Sequence, residues 1–297
     1  MRGQRCGVFT VVLCGVVLTL AVAGCSGDKG NGPSGNMTKG EQYEEMGPFM
    51  EELVVSTVDE FGTEFWDGVD EGDVSQSVPI RIPGSGKRVA AHSDSLSIIY
   101  YPLRGWWIIT AQLDVDSENV SGSVQLRDSV RFETVAGVPQ AQPDATTYRF
   151  RHGGWLTMTL EGSEDGTEVT FGMTAGRAAD VVGLNGDVAT VNGSSAGSFD
   201  LHGSDDEGSA DLTFEFETSV SQVDIPVTPG NYCPTDGSMH ANIQIDFDIR
   251  SDSAHAQAKG AWDADVDFTG NGGYDITVSS GDFSAEKTGT LECAQPY

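Results

Sequence analysis

The sequence predicts a mainly β protein: a single antiparallel meander, barrel-like, with a two-sheet sandwich as the alternative, preceded by one amphipathic helix. Three observations carry this. From Ser77 onward apolar and polar residues alternate with period two, as in SADLTFEFETSV, where Leu212, Phe214 and Phe216 interleave with Asp211, Thr213, Glu215 and Glu217. HANIQIDFDI sets Ile243, Ile245, Phe247 and Ile249 against Asn242, Gln244, Asp246 and Asp248, and AWDADVDF repeats the pattern. Short Gly-, Asn- and Asp-rich stretches (HGG, SEDG, LNGD, NGSS, GNGG) punctuate these runs and read as turns, which divides the chain into about a dozen short strands. Helical spacing occurs convincingly only before the strands begin. So many strands laid flat would leave exposed edges, so a curled or nearly closed sheet is expected.

Taken in chain order, the first element is a leader. MRGQR supplies Arg2 and Arg5, and the apolar run from Val8 to about Ala21 is too short for an ordinary membrane-spanning helix. The leader ends at Val22, Ala23, Gly24 and Cys25. This junction resembles the lipobox of bacterial lipoproteins. The resemblance covers residues 1–24 and the junction, and implies a Cys25 that is acylated and becomes the first mature residue. Ser26 after it resembles the signal that sorts such proteins to the outer membrane, facing the periplasm or the surface. Valine in place of the commoner leucine is a mild departure. Residues 25–40 form a Gly- and Ser-rich tether, whose reach from Ser26 to Lys39 is about 20 Å.

Within residues 41–76, GPFMEELVVSTVDEFGTEFWDG is the one helical pattern. Pro48 suits a first helical turn, and Met50, Val54, Val58, Phe61 and Phe65 recur every three or four residues, opposite Glu51, Glu52, Asp59, Glu60 and Glu64. Residues 77–297 make up the β domain. Its opening hairpin, IIYYPLRGWWIIT, is apolar at consecutive positions, so both of its faces need cover. The helix over Phe49 to Phe65 is the expected cover. Tyr100, Tyr101, Trp106 and Trp107 are the candidate contacts for a hydrophobic ligand or an envelope partner protein.

Cysteine placement agrees with export. Cys6 and Cys14 leave with the leader and Cys25 takes lipid, so Cys233 and Cys293 remain as an even pair, read as a disulfide. Such a bridge contributes about 4 kcal/mol by the chain-entropy account. The 16 Lys and Arg against 45 Asp and Glu give a net charge of −29. Losing Arg2 and Arg5 with the leader leaves 14 against 45, or −31. That charge excludes nucleic acid as a partner, because phosphate binding needs clustered bases. It also repels anionic bilayers, which leaves attachment to the acyl chains.

No stretch carries a catalytic motif in its required context. GSSAG, around Ser195, has the letters of a nucleophile elbow, but a strand-like SFDLHG follows where a helix is needed, so a turn is expected there. Asp263, Asp265 and Asp267 alternate with Trp262, Ala264, Val266 and Phe268; they read as a solvated strand face, with a weak calcium site as the sharper alternative. His92, His152, His202, His240 and His255 show no metal-binding spacing. GSGKR lacks the first glycine of a phosphate loop. An outer-membrane barrel is disfavoured by the lipid-type leader, by strands expected to be short and by the CAQPY ending. The functional expectation is a noncatalytic cell-envelope lipoprotein without cofactor that binds a hydrophobic ligand or a partner protein, or has a structural role. An exported hydrolase whose groups meet only in the fold is the alternative.

Overall fold

The computed structural model describes residues 95–291, apart from residues 118, 165–166, 207, 228–232 and 252–254. The leader, Cys25, the tether and the expected helix at 49–65 lie outside the described residues. What is described is one antiparallel meander of twelve strands with no helix. The strands are β1 (Ser95–Tyr101), β2 (Trp106–Asp116), β3 (Val120–Thr134), β4 (Pro139–Gln140), β5 (Thr147–Glu164), β6 (Thr167–Val182), β7 (Val188–Asp205), β8 (Gly208–Pro226), β9 (Asp236–Ser251), β10 (His255–Gly270), β11 (Gly273–Ser280) and β12 (Phe283–Thr290). Each pairs with its neighbour in sequence, except that β4 is a short flap on β3 and β5 follows β3 in the sheet. The sheet is not closed: β1 and β12 are its edges.

Period-two alternation gives the sheet one apolar face and one polar face, and the register keeps the apolar set together. Phe199, Phe214 and Ile245 are direct cross-strand partners, as are Phe216, Ile243 and Trp262, and Ala241, Ala264 and Val278. A one-residue slip on any strand would turn that strand's apolar set to water, so the pattern enforces the pairing. The main core runs from β6 to β11 and includes Trp262 at 1 % exposure, with Ile243, Met239 and Ile276 also fully buried. A chain of rings, Phe171, Phe199, Phe214 and Phe216, crosses it with centroids 5.1 to 6.4 Å apart.

The strands are longer than their sequence punctuation suggests. β5 to β10 each run 16 to 19 residues. HGG lies inside β5, joining the segments Tyr148–Arg151 and Leu156–Leu160 into one strand, and NGSS and GSSAG lie inside β7. LNGD and GNGG are turns as expected. At Gly197 of GSSAG the reason is steric, and Gly289 in β12 shows the same use of glycine. A Cβ on Gly197 would sit 2.6 Å from the Phe216 ring and 2.8 Å from the Thr174 carbonyl oxygen, and one on Gly289 would sit 2.2 Å from the Tyr274 ring. These glycines make room on the apolar face for an aromatic neighbour, a role within a strand rather than at its end. One irregularity resets the pattern: a bulge in β8 puts Gln222 at φ 51°, its N–H held by Asn192 Oδ1 at 3.0 Å, so that Val220 and Val223 both face the core.

Two substitutions test this packing. Gly197→Ala is expected to destabilise the domain by about 1 to 3 kcal/mol through overpacking. Trp262→Ala is expected to cost about 3 to 5 kcal/mol. Denaturant titration of both variants measures them, and a Gly197→Ala protein as stable as the parent would refute the close-approach account.

Candidate functional site

The aromatic hairpin divides its candidates between the two faces. Tyr100 and Trp107 are cross-strand partners on the core side, their rings tilted at 36° with centroids 4.9 Å apart. Trp107 Nε1 donates to the Ala141 carbonyl at 2.8 Å, which ties the β3–β5 connection over it. Tyr101 and Trp106 pair on the opposite side, where the Arg131 guanidinium stands 5.8 Å from the Trp106 ring. The hairpin is an edge of the sheet, and it stays apolar to its tip. Leu103 is 98 % exposed and Leu96 61 %, with Ile98, Ile99 and Tyr101 exposed as well. The four aromatic candidates therefore form two sites, one anchored and one on the outer face.

The connection over Trp107 is held by a carboxylate. Asp144 Oδ1 accepts from the Thr146 hydroxyl at 2.6 Å, the Thr146 N–H at 2.7 Å and Gln140 Nε2 at 3.0 Å. The Thr146 hydroxyl above all, then its N–H and the Gln140 amide, hold this carboxyl below the ordinary aspartate value. A depressed value means that the interaction supports the connection above the unfolded-state pKa and is lost as pH falls through the folded one.

Polar residues also interrupt the apolar face, a feature that alternation alone leaves unseen. Asp128, 7 % exposed, lies over Gly154, where a Cβ would sit 2.8 Å from its carboxylate oxygen. His152 Nε2 lies 2.6 Å from Asp128 Oδ1, and the His152 ring stacks on Phe150. The same transverse row continues through Arg177 and Ser195 to Thr218. Ser195 Oγ and Thr218 Oγ1 are 2.6 Å apart, so Ser195 is committed within β7, two strands from His152, and not in the turn that the sequence suggested. Histidine and serine share a face but are not brought together. Only register could reveal this row, since its members are scattered from Asp128 to Thr218.

The remaining candidates are on the polar face or outside the described residues. Asp263 and Asp265 take Asn242 Nδ2 at 2.9 Å and His240 Nδ1 at 2.8 Å, and Asp267 faces out at the strand end. Among the described residues no three His, Cys, Asp or Glu side chains converge as a metal would need. Cys233 is disulfide-bonded, and Cys293 lies outside the described residues.

Acidification below about pH 4 should release the β3–β5 connection before the core yields. Asp144→Asn should remove that step. The indole N–H resonance of Trp107 and the amide of Thr146, followed by NMR against pH, report it; pH-independent shifts in the parent would refute the assignment. No family model, curated protein or solved structure matches this chain.

Proposed function

We propose that the chain is a noncatalytic, lipid-anchored protein of the cell envelope whose acidic β domain holds a hydrophobic ligand at its β1–β2 edge. The observation that carries this is the run of exposed apolar side chains, from Leu96 through Ile98, Ile99 and Tyr101 to Leu103, on an edge hairpin anchored by the Tyr100–Trp107 pair. Soluble proteins usually blunt an edge strand with charge, bulges or cover. The far edge, β12, follows that practice with exposed Glu286 and Lys287, and β1 does not. An apolar surface kept at one edge fits a ligand or partner that covers it. The polar outer face, with Asp200, Asp211 and Asp246, suits a domain held in water by a tether more than one immersed in lipid. Anchoring rests on the junction at Cys25.

A hydrolase has one observation in its favour, the Asp128–His152 pair. Among the described residues no hydroxyl or thiol hydrogen-bonds to that imidazole, which leaves the pair without a nucleophile.

Intact-mass analysis of native protein should give a chain that begins at an acylated Cys25. Alkylation before and after reduction should label Cys233 and Cys293 only after it. Lipid extraction from native protein should yield a copurifying apolar compound, lost in Ile99→Asp and Leu103→Asp, whose exposed side chains leave the melting temperature within a few degrees of the parent. An empty extract from the parent would overturn the ligand reading in favour of a protein partner.

A further inference from the structure

On the face away from the core, two depressions of about 420 and 520 Å³ lie end to end. Trp106, Ile108, Arg127 and Trp155 surround the first, over Ser129 and Gly153. The second has Ala178, Ser194 and Ala196 as its floor and reaches Glu217, His240 and Asn242. Register makes them one groove. Ile108, Ser129, Gly153, Ala178, Ser194, Ser219 and His240 are successive cross-strand partners, and Arg127, Trp155, Gly176, Ala196, Glu217 and Asn242 form the adjacent row. From β2 to β9 the groove crosses six strand spacings, about 29 Å.

We propose that this groove binds a linear glycan, in a site that begins beside the apolar β1–β2 hairpin at Trp106 and Ile108 and runs from there across the sheet. Its shape suits an extended polymer, because it is long and lies open on the outer face of the sheet. Its chemistry suits sugar rings. Trp155 is 44 % exposed and, among the described residues, its indole has neither a hydrogen bond nor a ring contact, so a broad apolar face with one N–H donor is presented to water. Its direct cross-strand partner Arg127 forms no ion pair among the described residues, in a chain with 45 carboxylate side chains. A free guanidinium beside a bare indole can hydrogen-bond ring hydroxyls or a sugar carboxylate while the indole packs on the ring's C–H face. Farther along, the Ser194 hydroxyl, the Glu217 carboxylate and the Asn242 carbonyl, whose amide nitrogen is already held by Asp263, offer the mixed donors and acceptors that vicinal hydroxyls require. Other polymers fit less well. A peptide strand would seek an unpaired sheet edge, whereas the strands beneath the groove pair on both sides. Nucleic acid would meet the −29 net charge.

The test uses the full chain with cellohexaose, chitohexaose and hexagalacturonic acid as probes, followed by isothermal titration and tryptophan fluorescence. At least one hexasaccharide should bind with a Kd below about 1 mM, and the matching disaccharide about ten-fold or more weaker. Trp155→Ala should weaken hexasaccharide binding about ten-fold or more, and Trp155→Phe should restore much of it. Ser194→Trp, which fills the floor two strands away, should block the hexasaccharide, while unchanged melting curves show that these exposed substitutions leave the fold intact. Binding of the acidic probe alone would support an acidic glycan held by Arg127, and Arg127→Gln would then lose it. No binding of any probe, or full binding in both Trp155→Ala and Ser194→Trp, would overturn the proposal.

Discussion

A single sheet with one apolar face must hide that face, and the described domain does so with long strands that pair consecutively apart from the β4 flap. Everything else depends on this burial. Transfer of apolar area from water is the dominant favourable contribution to folding, and here it is concentrated between β6 and β11, where Trp262, Ile243, Met239 and Ile276 are fully buried. Backbone pairing between neighbours satisfies the amides but sets no face. The alternation sets the face, and register follows from it.

Large rings packed on a curved face need gaps, and glycine supplies them. Gly197 admits Phe216, Gly289 admits Tyr274, and Gly154 admits the Asp128 carboxylate. The same economy of side chains acts on the opposite face. Gly153, Gly176, Ala178 and Ala196 keep the outer surface low between rows of longer residues, and a groove results. One composition, rich in Gly, Ala and Ser at mid-strand, therefore serves core packing on one side and surface relief on the other.

Charge is distributed unevenly over this frame. Arg104, Arg127, Arg131, Arg149 and Arg151 cluster on or beside β2, β3 and β5, while β8 to β10 carry mostly carboxylates. Several of these arginines are already spoken for: Arg149 pairs with Asp180 and Arg131 with Glu133. Hydrogen bonding to Asp180 keeps the Arg149 guanidinium above its ordinary value. Arg127, like Arg104, forms no ion pair among the described residues, and it stands beside Trp155.

By itself the sequence determined the fold class, the buried faces of β8, β9 and β10 and the apolar excess of the hairpin, because period-two alternation is local and its physical cause, burial of one side, acts on each strand separately. It misjudged strand length, since glycine within a strand and glycine in a turn look alike until the neighbour across the sheet is known: HGG and NGSS read as turns, yet lie inside β5 and β7. Only the tertiary structure decided which distant residues share a row. Asp128 and His152 stand 24 positions apart and Trp106 and Trp155 almost 50, and no pattern within one strand connects them. Register brought the first pair together on the core face and the second around the groove. It also left Ser195 paired to Thr218 instead of near His152, because strand order, not the letters around the serine, fixes its neighbours.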